Sequence, residues 1–331
     1  MPSSASLAPA LRCAVAMSIV GASIVASAAL STYPLFGGQA VRYAVAALCL
    51  LAVLRWRRLP FVLPSPRQAG RLTALAATGL TGFSVFVVLA TRHADPSLVG
   101  AVVGATPVVL AVTQAVRERR PAVRTLAAAA TVTAGVVLIE GFGSADPLGL
   151  ALAAGALACE AAFSLVAVPL LPSLGALRVS AYACCAAVPQ LVVLGLLAPG
   201  PLLAVPSAEE LAALAYLAVV VTAVAFLLWY GGLARIGAAR AGLFAGLMPV
   251  AALATSIALG TEAVTPHAVA GTVLTALGLV LGLLPARRAA VLAGRANDHE
   301  DGEDRRGRPR PEKAAVRPAA APAPRASGPA R

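Results

Sequence analysis

Lysine is almost missing from this chain: Lys313 is the only one beside 25 arginines. Charge as a whole is scarce. Only 12% of the 331 residues are charged and 5% are aromatic, while 59% are hydrophobic, and the mean hydropathy is +0.85. So little charge excludes an ordinary soluble domain and points to a polytopic membrane protein. No CxxC pair or His/Cys ligand spacing occurs, so no disulfide framework, metal site or cofactor is expected. The five cysteines, Cys13, Cys49, Cys159, Cys184 and Cys185, fall within apolar segments and read as packing residues. The phosphate loop GxxxxGK[ST] is absent, which argues against an ATPase. The net charge of +12 invites a nucleic-acid reading, but 11 of the 26 basic residues lie in the tail from Arg287 onward. Most of the others sit in short loops. With no basic stripe interleaved with aromatics, no nucleic-acid partner is expected. The arginine bias and abundant alanine suit GC-rich coding, as in some bacteria.

What is present is a series of ten apolar segments. They run near 11–32, 35–54, 70–91, 96–115, 122–142, 147–168, 176–197, 209–231, 238–260 and 265–285. Each approaches the ~20 residues that an α-helix needs to cross a hydrocarbon core. Proline and glycine mark the short connections, at Pro34, Pro64, Pro66, Pro121, Pro147, Pro172, Pro199 and Pro266. The first segment also has features of a signal peptide, but the repeat described next needs it as a helix. With the N-terminus inside, the inner loops hold Arg12, Arg55, Arg57, Arg58, Arg67, Arg71, Arg117, Arg119, Arg120, Arg124, Arg178, Arg235 and Arg240. The outer loops hold Arg92 alone. Positive residues favour the cytoplasmic side, so both termini are placed there, in a bacterial plasma membrane. Trp56, Trp229 and Tyr230 are expected at inner interfaces.

Two stretches 142 residues apart share one pattern. Gly100, Gly104, Pro107 and Val108 read GAVVGATPV, and Gly242, Gly246, Pro249 and Val250 read GLFAGLMPV. Each lies in the fourth segment of its half and is followed by an acid, Glu118 or Glu262. The reading is a duplicated five-segment unit, 1–142 and 147–286. An odd number of crossings inverts the second copy. The fold class is thus an all-α polytopic membrane protein of ten transmembrane helices in two inverted five-helix repeats, an arrangement many secondary transporters use. Residues 287–331 have no apolar period and read as a disordered cytoplasmic tail.

Pro107 and Pro249 fall about eleven residues into their helices, near the bilayer midplane. A mid-helix proline frees the carbonyl four residues back, here that of Val103 or Ala245. Such kinks either border a transport path or only shape packing. The Gly100/Gly104 and Gly242/Gly246 spacings give flat faces for close helix approach. These suit packing between the halves or between two copies, so a homodimer stays open.

Glu160, in ALACEAAFSLV, is about thirteen residues into the sixth segment. A carboxylate at that depth is costly and needs a cavity, a partner or a proton. It is read as a substrate-amine contact or a proton-coupling site, with a structural ion pair as the other reading. Arg42, in GQAVRYAVAAL, is its natural partner. It either binds a substrate carboxylate, pairs with Glu160 or Glu140, or snorkels to headgroups. Tyr43, beside Arg42, completes the substrate candidates. Gln39, Gln114, Gln190 and Thr222 read as interhelical hydrogen bonds. His93 and His267 read as surface residues. No catalytic residue is assigned.

Taken together, the segments at 11–285 resemble the EamA-type permeases of the drug/metabolite transporter superfamily. GQAVRYAVAALCLLAVL is similar to that family's second helix with its arginine, Arg42. ATPVVLAVTQAVRERRPAVRTLAAAATVTAGVVLI resembles its proline, acid-arginine and glycine-valine pattern at Pro107, Glu118-Arg119 and Gly135-Val136. The second copy resembles it from Ala213 to Thr265. The resemblance implies ten helices, inverted repeats and secondary transport of small metabolites. Glu160 and the lack of an arginine after Glu262 depart from it. The expected partners are the lipid bilayer, a small-molecule substrate and a coupling proton. The competing classes are an intramembrane enzyme, for which GFSV at 82–85 fails the rhomboid GxSG pattern, and a non-transporting scaffold.

Overall fold

The computed structural model describes residues 4–119, 123–141, 143–260 and 263–283. Arg120, Glu262 and the 287–331 tail lie outside the described residues. Nine helices among the described residues are long and apolar enough to cross a membrane. They are α2 (Leu35–Trp56), α3 (Pro66–Ala90), α4 (Pro96–Glu118), α5 (Val123–Glu140), α6 (Pro147–Ala167), α7 (Leu171–Leu197), α8 (Ala208–Ile236), α9 (Ala238–Ala258) and α10 (Pro266–Leu283). The N-terminal segment, α1, is divided at Ser23 into Ser4–Ala22 and Ile24–Ala28. The Ser23 hydroxyl turns back on the Val20 carbonyl at 2.6 Å, which competes with the helical ladder there. No strand forms among the described residues. The protein is an all-α polytopic membrane protein.

Local sequence explains the helix ends. Ser65 and Ser207 open α3 and α8 as capping boxes with Gln68 and Glu210. Asp146 accepts from the Gly149 amide at 2.7 Å and Pro147 fills the first helical position of α6. Gly237, with φ of +79°, stops α8 and lets α9 begin at the next residue.

Helices from the two halves interleave within one compact unit, Met1–Leu284. α1 packs on α8 and α9; α6, five places along, packs on α3 and α4. α2 runs beside α7, α4 meets α9, and α5 lies along α10. The α5–α10 crossing is a glycine seam. A Cβ on Gly135 would stand 2.6 Å from the Gly271 carbonyl oxygen, and a Cβ on Gly271 would stand 2.6 Å from that of Gly135. Only glycine lets the two backbones meet this closely. Outward, large apolar side chains such as Leu48, Leu196 and Val280 are exposed, a surface suited to lipid.

Two irregularities recur at the repeat distance. π-helical turns occupy Ala76–Gly82 in α3 and Leu217–Val224 in α8, starting 141 and ending 142 residues apart. α4 breaks at Gly104-Ala105, and α9 tightens to a 3-10 turn at Leu243–Gly246. The paired prolines therefore do not kink continuous helices. Pro107 and Pro249 each sit in the first turn of a restarted helix, Thr106–Glu118 or Leu247–Ala258. A first-turn amide has no helical partner in any case, so proline costs little there. The Val103 carbonyl, expected to be free, accepts from the Thr106 hydroxyl at 2.6 Å.

A candidate transport cavity

Arg42 and Glu160 line one cavity of about 930 Å³. Arg42 reaches it from α2 and Glu160 from α6, one from each half. The upper lining runs to Ser31, Arg92 and Pro199, which are exposed, so the cavity reaches the surface between the α1–α2, α3–α4 and α7–α8 loops. At the other end it is floored by buried Met17, Phe163 and Trp229.

The two charges are not paired with each other. Arg42 donates its Nε–H to the Thr222 hydroxyl at 2.8 Å and an Nη1–H to Gln39 Oε1 at 3.4 Å. Its guanidinium lies 5.3 Å from the Tyr43 ring centroid, a cation–π distance. Glu160 has no hydrogen bond or ion pair among the described residues. Phe163, one turn below Glu160 on α6, stands 5.4 Å from both Phe226 and Tyr230 on α8. Glu160 therefore lies one turn, about 4.5 Å, above Phe163 and the Phe226–Tyr230 rings that it meets.

Tyr43 is buried and lines the same cavity. Trp229 and Tyr230 correct the interfacial expectation, since they are 3% and 0% exposed. α8 continues to Ile236 before Gly237 stops it, which holds Trp229 about 10 Å inside the helix end. The Trp229 indole N–H has no partner among the described residues. Sequence reasoning missed Trp229, Phe163 and Phe226 as cavity residues. Their i, i+3 spacing on α8 and the Glu160–Phe163 spacing on α6 were the available signals.

The paired glycines pack rather than line the cavity. Gly100 faces the Glu140 carboxyl and Gly104 faces Val136, both on α5 in the same half. Gly242 faces Leu110, and Gly246 faces Val132 and Thr275, so the second pair contacts the first half. Gln190 donates to the Thr73 carbonyl at 3.1 Å across helices, whereas Gln114 bonds Glu118 within α4 at 2.7 Å. His93 meets Asp146 at 3.0 Å on the surface, and His267 bonds Thr265 at 3.1 Å. No group of three or more potential metal ligands occurs among the described residues.

This bundle, with a cavity lined from both of its halves, matches known proteins. Residues 147–284 match the EamA-like transporter family. Over that stretch the chain is similar to the EamA-type permeases. The chain is 26% identical over 254 residues to the "Uncharacterized transporter YetK" of Bacillus subtilis (strain 168), across 73% of this chain and 77% of that one. A solved crystal structure at 22% identity aligns with a TM-score of 0.75 over 87% of this chain and all of that one, a likeness of fold. The family match and the transporter relative, with the apolar helices, make the chain a multi-pass membrane transporter.

Proposed function

We propose that the permease is a secondary transporter in a bacterial plasma membrane. It exports a small amphipathic metabolite, an amino acid or a drug-like molecule, by alternating access. The observation that carries this reading is the single cavity holding Arg42 and Glu160 from opposite halves, open at one end and floored at the other. The interleaved contacts, α1 with α8 and α6 with α3, support two inverted repeats that can exchange roles. With both termini in the cytoplasm, as the loop arginines favour, the cavity faces outward. Glu160 then serves as a substrate-amine or proton-coupling site and Arg42 as an anion contact. A homodimer would be held through faces outside the cavity.

Substrate-dependent uptake into inverted vesicles tests this reading. Export in the cell becomes accumulation in such vesicles. It should depend on an imposed proton gradient and be lost on collapsing that gradient. Vesicles that accumulate nothing above empty-vector controls, across a panel of amino acids and amphipathic drugs, would leave the export reading without support.

A further inference from the structure

We infer that Thr222 is a positioning residue for Arg42, and that the arginine edge it leaves free holds the carboxylate of an amphipathic substrate. This rests on the reading of the cavity as the substrate site. Thr222 is fully buried and lies on the π turn of α8. Its single hydroxyl proton goes to the Leu217 carbonyl, five residues back, at 2.9 Å. The oxygen is thereby left as an acceptor, and Arg42 Nε–H fills that role at 2.8 Å. In an α-helix a threonine bonds back three or four residues. The π turn inserts one extra residue, and losing it would swing Thr222 about 100° around the helix, away from Arg42.

With Nε and one Nη1–H engaged, the rest of the five-donor guanidinium has no partner among the described residues and belongs to the cavity wall. That free edge is a planar fork that matches a carboxylate. A dianionic phosphate is disfavoured, because Glu160 already places an acid on the same cavity and Arg42 is the only basic residue below the rim. The Phe163, Phe226 and Trp229 rings below would take an apolar body.

Trp229 provides a reporter, since the chain has two tryptophans and Trp56 is exposed outside the cavity. In the full-length permease carrying Trp56→Phe, fluorescence is titrated with 3-phenylpropionate, L-phenylalanine and L-phenylalaninamide. The two carboxylates should quench Trp229, and the amide should bind at least about tenfold more weakly, as expected for losing a charged hydrogen-bonded pair. Thr222→Val should weaken both carboxylates about tenfold and leave the amide unchanged, while Thr222→Ser retains wild-type binding. Thr222→Ala takes the place of Val if the latter does not insert.

Equal binding of amide and acids overturns the inference. So does equal weakening of all three probes by Thr222→Val, or no rescue by serine. Failure of either acid to bind by about 10 mM, tenfold above the usual KM range, overturns it as well. If the acids bind as expected but vesicles transport nothing, the transporter reading falls while this site stands. If they are transported with no effect of Thr222→Val, the reverse holds.

Discussion

Glu160 and Arg42 meet in one cavity without forming an ion pair, and that decides how each should respond to mutation. A structural pair would need both charges; two ligand contacts need only the substrate. Glu160→Gln should insert normally and lose the pH dependence of transport between pH 5 and 8. Arg42→Gln should lower apparent affinity roughly ten- to a hundredfold, the range for a charge-assisted hydrogen bond. Transport rates measured in vesicles across that pH range check both. Wild-type behaviour of the two variants would remove both residues from the mechanism, and recovery of transport in the Glu160→Arg, Arg42→Glu double swap would mark them as a structural pair. Both residues were legible in the sequence because an isolated charge deep in an apolar segment is costly. Trp229 was not, because an aromatic near a helix end reads the same whether it faces headgroups or a cavity.

At the level of elements, two features carry separable predictions. The α5–α10 seam depends on the mutual approach of Gly135 and Gly271. Gly271→Val should destabilise the permease by ~1–3 kcal/mol through overpacking. Gly70→Val, at a helical glycine with nothing within 4 Å of the added carbon, should be tolerated. Thermal unfolding in detergent compares the two. The second feature joins the α3–α4 and α5–α6 loops. Asp95 accepts from the Ser144 amide at 2.8 Å and from its hydroxyl at 2.9 Å, beside a bridge of Ala94 with Ala145. The Ser144 amide, then the Ser144 hydroxyl, hold the Asp95 carboxyl below the usual range. The Gly149 amide, then His93, do the same for Asp146. A carboxyl lowered in the folded state contributes stability above its unfolded pKa, about 3.9, and loses it as pH falls through the lowered value. Exchange protection of the Ser144 and Gly149 amides should therefore persist from pH 7 to about pH 4 and decline only below that. Protection already lost by pH 6 would show that these carboxyls do not hold the loops.

For the whole molecule, the proposed orientation rests on thirteen loop arginines on one side against Arg92 on the other. Single cysteines at positions 146 and 119, in a background without the native five, should label from outside and inside respectively. The reverse pattern would invert the topology and turn the cavity toward the cytoplasm. The offset of 142 was legible from GAVVGATPV and GLFAGLMPV, and the π turns start 141 and end 142 residues apart. The π turns themselves were not legible, since neither stretch carries a proline or a distinctive residue. In the second of them Thr222 meets Arg42, a contact that no local sequence signal announces.

The sequence by itself determined that the chain crosses a membrane many times and roughly where each crossing starts and stops, and it shows one glycine-proline pattern twice, 142 residues apart. Those properties are one-dimensional: run length, loop charge and spacing survive without knowing any contact. Tertiary structure alone decided the interleaving of the halves, the burial of Trp229 and Tyr230, the restart of helices before Pro107 and Pro249, the bond of Arg42 to buried Thr222, and the meeting of Arg42 and Glu160 on one cavity. The reason lies in the solvent. In lipid, a side chain facing the bilayer and one facing a neighbouring helix are both apolar, so hydrophobic periodicity does not tell the faces apart. Only the packed helices show which face each residue presents.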